Sequence, residues 1–272
     1  MGGLRKFELE RKPRVILGID HIVIPVHDLE TAVADYSALG FTVVPGGRHP
    51  VFNTHNALIA FVDASYFELI AWLEPPPASS HWWFDALLHG GGLTDFCVQS
   101  DNLENDSAAF RRAGAAIGAP FAMSRDRPDG YRLRWELAVN ESDTRGLVPF
   151  FIRDITPRED RVPRERTHPN GAAGIESLAI AVTELNSIQS IYQVALGQDG
   201  EPMKRDDLQA DGVGFALGPH KIHLVRPRDS LGPAAERLRL RGPSPLAVKL
   251  RGGATTGFLD VARAHAARIA FG

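Results

Sequence analysis

The sequence is poor in cysteine, in net charge and in long apolar runs, and each shortage removes a class of function. Its single cysteine, Cys97, excludes an intrachain disulfide and a multi-cysteine zinc site. Cys97 lies in the apolar run Phe96-Cys97-Val98, where a buried thiol is expected and no neighbour in sequence would activate it. Thirty basic against thirty-three acidic residues leave a formal charge of −3, which provides no electrostatic footprint for nucleic acid. Several arginines gather between Arg153 and Arg166, but acids and prolines interrupt them, so this stretch reads as a solvated connection. Met1 to Phe7 is followed by charges rather than by an apolar stretch, which predicts neither a secretory signal nor a membrane anchor. A soluble cytoplasmic protein, free of nucleic acid and membrane, is the expectation. Gly90-Gly91-Gly92 lacks the following Lys-Ser/Thr of a phosphate loop, and no Gly-x-Ser-x-Gly elbow occurs.

What is present is an internal repeat. Ile19 to Val26 is strand-like; Asp28 then offers a helix cap, and Leu29, Val33, Tyr36 and Leu39 follow at helical spacing until Gly40. Three strand-like runs come next, at Phe41–Val44, Ala57–Val62 and Tyr66–Trp72. The order recurs from Leu93, with a helix ending near Gly114 and strands at Leu133–Val139 and Leu147–Ile152, and again from Ile175, with a helix ending near Gly197. A fourth start, Leu246–Leu250, is followed by what the pattern predicts to be an amphipathic helix from Gly257 to Ala270. Val26-His27-Asp28-Leu29 aligns with Val182-Thr183-Glu184-Leu185, and Ser100-Asp101-Asn102-Leu103 is one residue longer. One such module leaves a sheet face exposed, so modules must pair. The expected organisation is α+β: paired βαβββ modules over residues 14–155, a linker over 156–170, and a third module with a truncated fourth over 171–272. Either that fourth unit covers the third module or a homodimer does.

The arrangement resembles the vicinal-oxygen-chelate superfamily, and more narrowly its glyoxalase-like domain group. Asp20-His21-Ile22-Val23, Asn53-Thr54-His55-Asn56-Ala57-Leu58, Tyr66-Phe67-Glu68-Leu69-Ile70, Asp129-Gly130 before Leu133-Arg134-Trp135, and Pro149-Phe150-Phe151-Ile152 carry the resemblance in that order. It implies curled mixed sheets around a cavity that binds a small oxygenated molecule. It also implies a divalent metal (Zn, Fe, Mn or Ni) held by His21 and Glu68, an imidazole and a carboxylate suited to such ions. Aligning the second module under the first puts Asp95 opposite His21 as a third ligand and Phe151 opposite Glu68, where no ligand is available. In the third module Ser177 and His223 take these places, and a lone strand histidine is more often structural than a ligand.

Asn56, Arg125 and Trp135 are the candidate substrate contacts. The stretch from Arg125 to Gly130, with Arg127 and Asp129, reads as a turn, yet a guanidinium there would suit a substrate carboxylate. Three functions stay open. One is a metal-dependent lyase, isomerase or dioxygenase. The second is a non-catalytic protein that sequesters a small molecule. The third is a metal-independent enzyme with Glu68 or His21 as catalytic base. The full glyoxalase I quartet of ligands is not supplied.

Overall fold

The computed structural model describes residues 16–49, 52–77, 79–127, 129–253 and 256–272; the N-terminal stretch read above for a targeting signal lies outside them. The first module consists of β1 (Ile16–Pro25), α1 (Leu29–Ala38), β2 (Val44–His49), β3 (Thr54–Ala60) and β4 (Tyr66–Trp72). Helix α1 starts where Asp28 accepts a hydrogen bond from the Thr31 N–H at 2.7 Å, satisfying one of the free donors of the first turn. A short helix, α2 (Trp82–Leu88), leads into the second module: β5 (Asp95–Ser100), α3 (Leu103–Arg112), β6 (Phe121–Asp126), β7 (Arg132–Ala138) and β8 (Phe150–Asp154).

These eight strands close a barrel in the order β1-β4-β3-β2-β6-β7-β8-β5. One seam is the long antiparallel pairing of β1 with β5; the other, β2 with β6, rests on Arg48 opposite Asp126. Closure leaves no free sheet edge, and the pleat sends alternate side chains inward. Val23, Ile70, Met123, Trp135 and Phe150 cluster inside, while Ile22, Ile24, Phe67, Leu69 and Phe151 face outward into the larger core. Strand parity corrects one expectation. Val23 lies opposite Glu68 and Cys97 opposite Phe150, so superposing Asp95 on His21 brings Phe150, not Phe151, to the place of Glu68. A shift of one residue reverses the face, and Phe151 packs edge-on against Phe110 at 5.2 Å. A phenyl ring still stands where a fourth ligand would be.

A one-turn helix, α4 (Arg158–Arg161), precedes the third module: β9 (Ala172–Ala181), α5 (Leu185–Leu196), β10 (Glu201–Arg205), β11 (Ala210–Leu217) and β12 (His220–Pro227). Strand β9 runs parallel to β12, as β1 does to β4. No sequence signal singled out the next helix, α6 (Gly232–Arg241). It lays Ala234 and Leu238 against Ala179, Ala181, Val225 and Ala247, filling the cup of this second sheet. Strand β13 (Ser244–Gly252) then pairs antiparallel with β9, as β5 does with β1, so the truncated fourth unit extends the sheet of the third module.

The helix expected from Gly257 to Ala270 does not form. The chain makes β14 (Gly257–Phe258), a series of turns, and β15 (Arg268–Phe271). The outer edge of β13 needs a partner, and β15 supplies one in parallel register. Ile269 and Phe271 are buried with strand periodicity, and His265 and Ala266 adopt left-handed φ values of 51° and 65°, incompatible with a continuing helix. One core joins barrel and second sheet. The Tyr36 hydroxyl donates to the Ala264 carbonyl at 3.0 Å and that of Tyr192 to Leu147 at 2.8 Å.

Candidate active site

His21, Asn56 and Glu68, from β1, β3 and β4, line a cavity of about 500 Å³ inside the barrel, a size that suits a small molecule. The Nδ1 of His21 lies 2.7 Å from Asp20 Oδ1. Its Nε2 faces Glu68 Oε2 at 3.5 Å, too far for a good direct hydrogen bond. The imidazole is held flat by stacking on Tyr66 (4.7 Å) and by the edge of Phe150 (5.4 Å). Glu68 Oε1 accepts from Asn56 Nδ2 at 2.6 Å, and Asn56 Oδ1 accepts from Arg125 at 3.2 Å. A carboxylate accepts and a guanidinium donates, so these neighbours fix which way the amide points. Asn56 thus orients Glu68 with one end and Arg125 with the other. A Cβ on Gly46 would overlap both Asn56 Oδ1 and the Arg125 guanidinium, so β2 needs glycine where this bond crosses it.

Beneath His21 lies a buried ion network that sequence reasoning missed. The arginine-rich connection does not simply run through solvent: α4 inserts Arg161, 4% exposed, into the end of the barrel. Arg161 donates to both oxygens of Asp20 at 2.9 Å, to both oxygens of Asp154 at 2.5 and 2.8 Å, and to the Tyr66 hydroxyl at 2.7 Å. Arg158 also pairs with Asp20. Burial opposes the charge on Asp20, but Arg161 and Arg158 overcome it and hold the carboxyl well below its usual range. Asp20 is therefore a fixed acceptor for His21. Only the alternation of acid and base around Arg158 and Arg161 hinted at this in sequence.

Asp95 lies on β5, the strand next to β1, in register with Val23. Its oxygens accept from the Trp83 indole N–H at 3.0 Å and from the Phe96 N–H at 2.9 Å. Burial pushes its carboxyl up from 3.8 to about 7 despite these bonds. The sign follows from linkage: the folded state binds more protons than the unfolded one between these values, so stability falls as pH rises from about 4 to about 7. Asp95→Asn is expected to remove that slope of about one proton, read from urea unfolding across this range. A slope unchanged in the variant would assign it to another group.

His49, at the end of β2, was not foreseen. Its Nε2 stands 3.9 Å from Glu68 Oε1, and its Nδ1 meets the Thr54 hydroxyl at 3.1 Å. Burial lowers its pKa to about 4, which keeps it neutral. Trp135 crosses His49 edge-on at 6.4 Å and forms part of the cavity wall. Arg125, read in sequence as part of a turn, is an inward residue of β6, 3% exposed; Arg127 and Asp129 do form an exposed pair beyond it. No carboxylate is within ion-pair distance of Arg125 among the described residues. His223 does not join this cavity: it lies on the second sheet, 3.4 Å from Arg205.

Donor atoms of Asp20, His21 and Cys97 lie within 4.8 Å of one another. That trio suits a cation poorly, since Asp20 is already bonded to two arginines and burial raises the Cys97 thiol well above its usual value. The facing atoms of His21 and Glu68 suit one better. Both can donate lone pairs, and a carboxylate behind a metal-binding histidine is a common second layer of support.

The glyoxalase-like domain model matches residues 19–196, which span β1 to α5 and hold every residue of this cavity. The chain belongs to the glyoxalase-like domain family. Solved structures of the vicinal-oxygen-chelate fold share its architecture. A hypothetical protein from Staphylococcus aureus is 12% identical with a TM-score of 0.64, covering 93% of this chain and 98% of that one. A mutant 4-hydroxymandelate synthase from Streptomyces coelicolor is 17% identical with a TM-score of 0.57, covering 88% and 71%. A fusion of a xylose isomerase-like TIM barrel with 4-hydroxyphenylpyruvate dioxygenase is 17% identical with a TM-score of 0.51, covering 92% and 38%. No curated protein matches in sequence. Among the described residues no helix of this glyoxalase-like protein is long and apolar enough to cross a membrane.

Proposed function

We propose that this glyoxalase-like protein binds a small oxygenated molecule bearing a carboxylate, and acts on it with a divalent cation held by His21 and Glu68. One observation carries the reading. With Nδ1 donating to Asp20, His21 turns its Nε2 toward a Glu68 oxygen 3.5 Å away. Two acceptors at that separation need a cation or a proton between them. A bound divalent ion would supply Lewis acidity for a substrate's vicinal oxygens, as a lyase, isomerase or dioxygenase of this kind requires. Arg125 then takes the carboxylate, Trp135 and Phe150 exclude water, and Asp95, close to neutrality in its proton affinity, exchanges a proton with the ligand. Asp95 could serve as a third ligand only in place of that proton exchange, by giving up its proton and its bond to Trp83.

The second reading puts a proton in the gap and makes Glu68, steadied by Asn56, a metal-independent base. Phe150 at the fourth ligand position favours it. Protein purified without chelators and reloaded with zinc, iron, manganese or nickel is expected to hold one stoichiometric ion, lost in His21→Ala and Glu68→Gln. Absence of any ion after reloading would overturn the metal and leave the base.

A further inference from the structure

A second group of cations, buried at Arg237 and half-buried at Arg241, lies far along the chain from this cavity, where α6 meets the triple glycine between α2 and β5. Arg237 and Arg241 are one helical turn apart on the same face, and both donate to the Gly91 carbonyl, at 3.2 and 2.6 Å. Arg241 also donates to the Leu93 carbonyl at 3.2 Å. Like charges at this spacing repel, and the only carboxylate lining the adjoining pocket, Glu236, pairs with Arg268 at 2.7 Å. Burial, reinforced by Arg241 and Arg268, lowers the Arg237 pKa to about 9, and burial lowers that of Arg241 to about 10. Both guanidiniums bond to backbone carbonyls, and among the described residues neither has a carboxylate within ion-pair distance.

These groups open onto a pocket of about 160 Å³ that is also lined by Arg268, His89 and Gly90. Among the described residues the only buried side-chain polar atom without a partner is Ser177 Oγ. The guanidinium nitrogens of Arg237 and Arg241 that lack a protein acceptor thus reach accessible space rather than a sealed core. Gly92 packs so tightly under Arg237 and Ala266 that a Cβ would strike the Ala266 carbonyl, which keeps the loop and the helix in fixed register.

We propose that this pocket is a binding site for a phosphate group, either the free ion or the end of a phosphomonoester, held by Arg237, Arg241 and Arg268. Three fork-shaped donors around a small pocket match the several acceptor oxygens of a phosphate. The site owes nothing to the barrel cavity, and α6 lies outside the part of the chain that matches the glyoxalase-like domain model.

Thermal unfolding of the full chain at fixed ionic strength, with inorganic phosphate, methyl phosphate or chloride, tests it. Both phosphates are expected to raise the midpoint saturably and chloride is not. Arg241→Gln is expected to weaken the apparent affinity by about tenfold or more, while Glu236→Gln, which removes the competing charge, strengthens it. A purely structural clamp would not predict that opposite sign. If Arg241→Gln fails to fold, the less buried Arg268→Gln makes the same comparison. Methyl phosphate binding tighter than phosphate would identify an ester as the ligand, and the reverse a free ion. Equal stabilisation of wild type and every variant would be a bulk salt effect and would overturn the site, as would indifference to both phosphates.

Discussion

Replacing Arg161 with methionine is expected to destabilise the folded chain by about 3–5 kcal/mol, because it leaves buried carboxylates without their partner. Arg161 bridges Asp20 and Asp154 with two bonds to each and caps the Tyr66 hydroxyl. Asp20 is wholly buried and keeps its charge chiefly through the two arginines, with a further bond from His21. Methionine fills the stem of the side chain but donates nothing. Lysine keeps the charge, yet a single ammonium cannot reproduce a fork that serves two carboxylates, so Arg161→Lys should recover only part of the loss. Urea unfolding near neutral pH measures both. A loss below about 1 kcal/mol, the scale of an exposed ion pair, would mean that the network is solvated. The same variant should loosen His21, whose Nδ1 depends on Asp20 staying in place.

Arg125→Met is expected to act in opposite directions on binding and on stability. Small carboxylates that occupy the barrel cavity should lose at least about 3 kcal/mol, roughly a hundredfold in affinity, since one partner of a desolvated charge pair is gone. The free protein should melt higher, because the wild type holds a buried guanidinium with no carboxylate in ion-pair contact among the described residues and with its charge opposed by burial, and a site kept ready for a ligand is commonly held against stability. Calorimetric titration with simple 2-oxo and 2-hydroxy carboxylates, alongside a thermal melt, separates the two effects. Unchanged affinity would remove Arg125 from the ligand. A lower melting point would show that its bonds to Asn56 and to the Arg161 carbonyl outweigh its desolvation.

The repeat was readable from the chain because it is local. A strand, a capped turn such as Val26-His27-Asp28-Leu29 and a helix closed by Gly40 are set by neighbouring residues, and their recurrence implied the family and its curled sheets before any contact was known. The same local logic misled at the C-terminus, where Val261 to Ala266 carries helical composition but the open edge of β13 claims the residues beyond it for a strand. Helix α6 was missed for the converse reason: its sequence, rich in arginine, has a weak apolar stripe, and packing into the cup of the second sheet stabilises it.

His21, Glu68 and Asp95 were legible as candidates by their places in aligned modules, and Asn56, Arg125 and Trp135 by their local stretches. What they do to one another was not. The burial of Arg161 beneath His21 depends on a link 141 residues long, and the approach of His49 to Glu68 depends on β2 and β4 each pairing with β3. Strand register moved the apolar fourth position from Phe151 to Phe150, a choice of face that no single strand makes by itself. The sequence determined the modules, their order and the side chains available to a cavity, since those follow from short-range periodicity and capping. Tertiary structure alone decided which charges lost their water and which found partners, because desolvation and long-range pairing exist only once the barrel has closed.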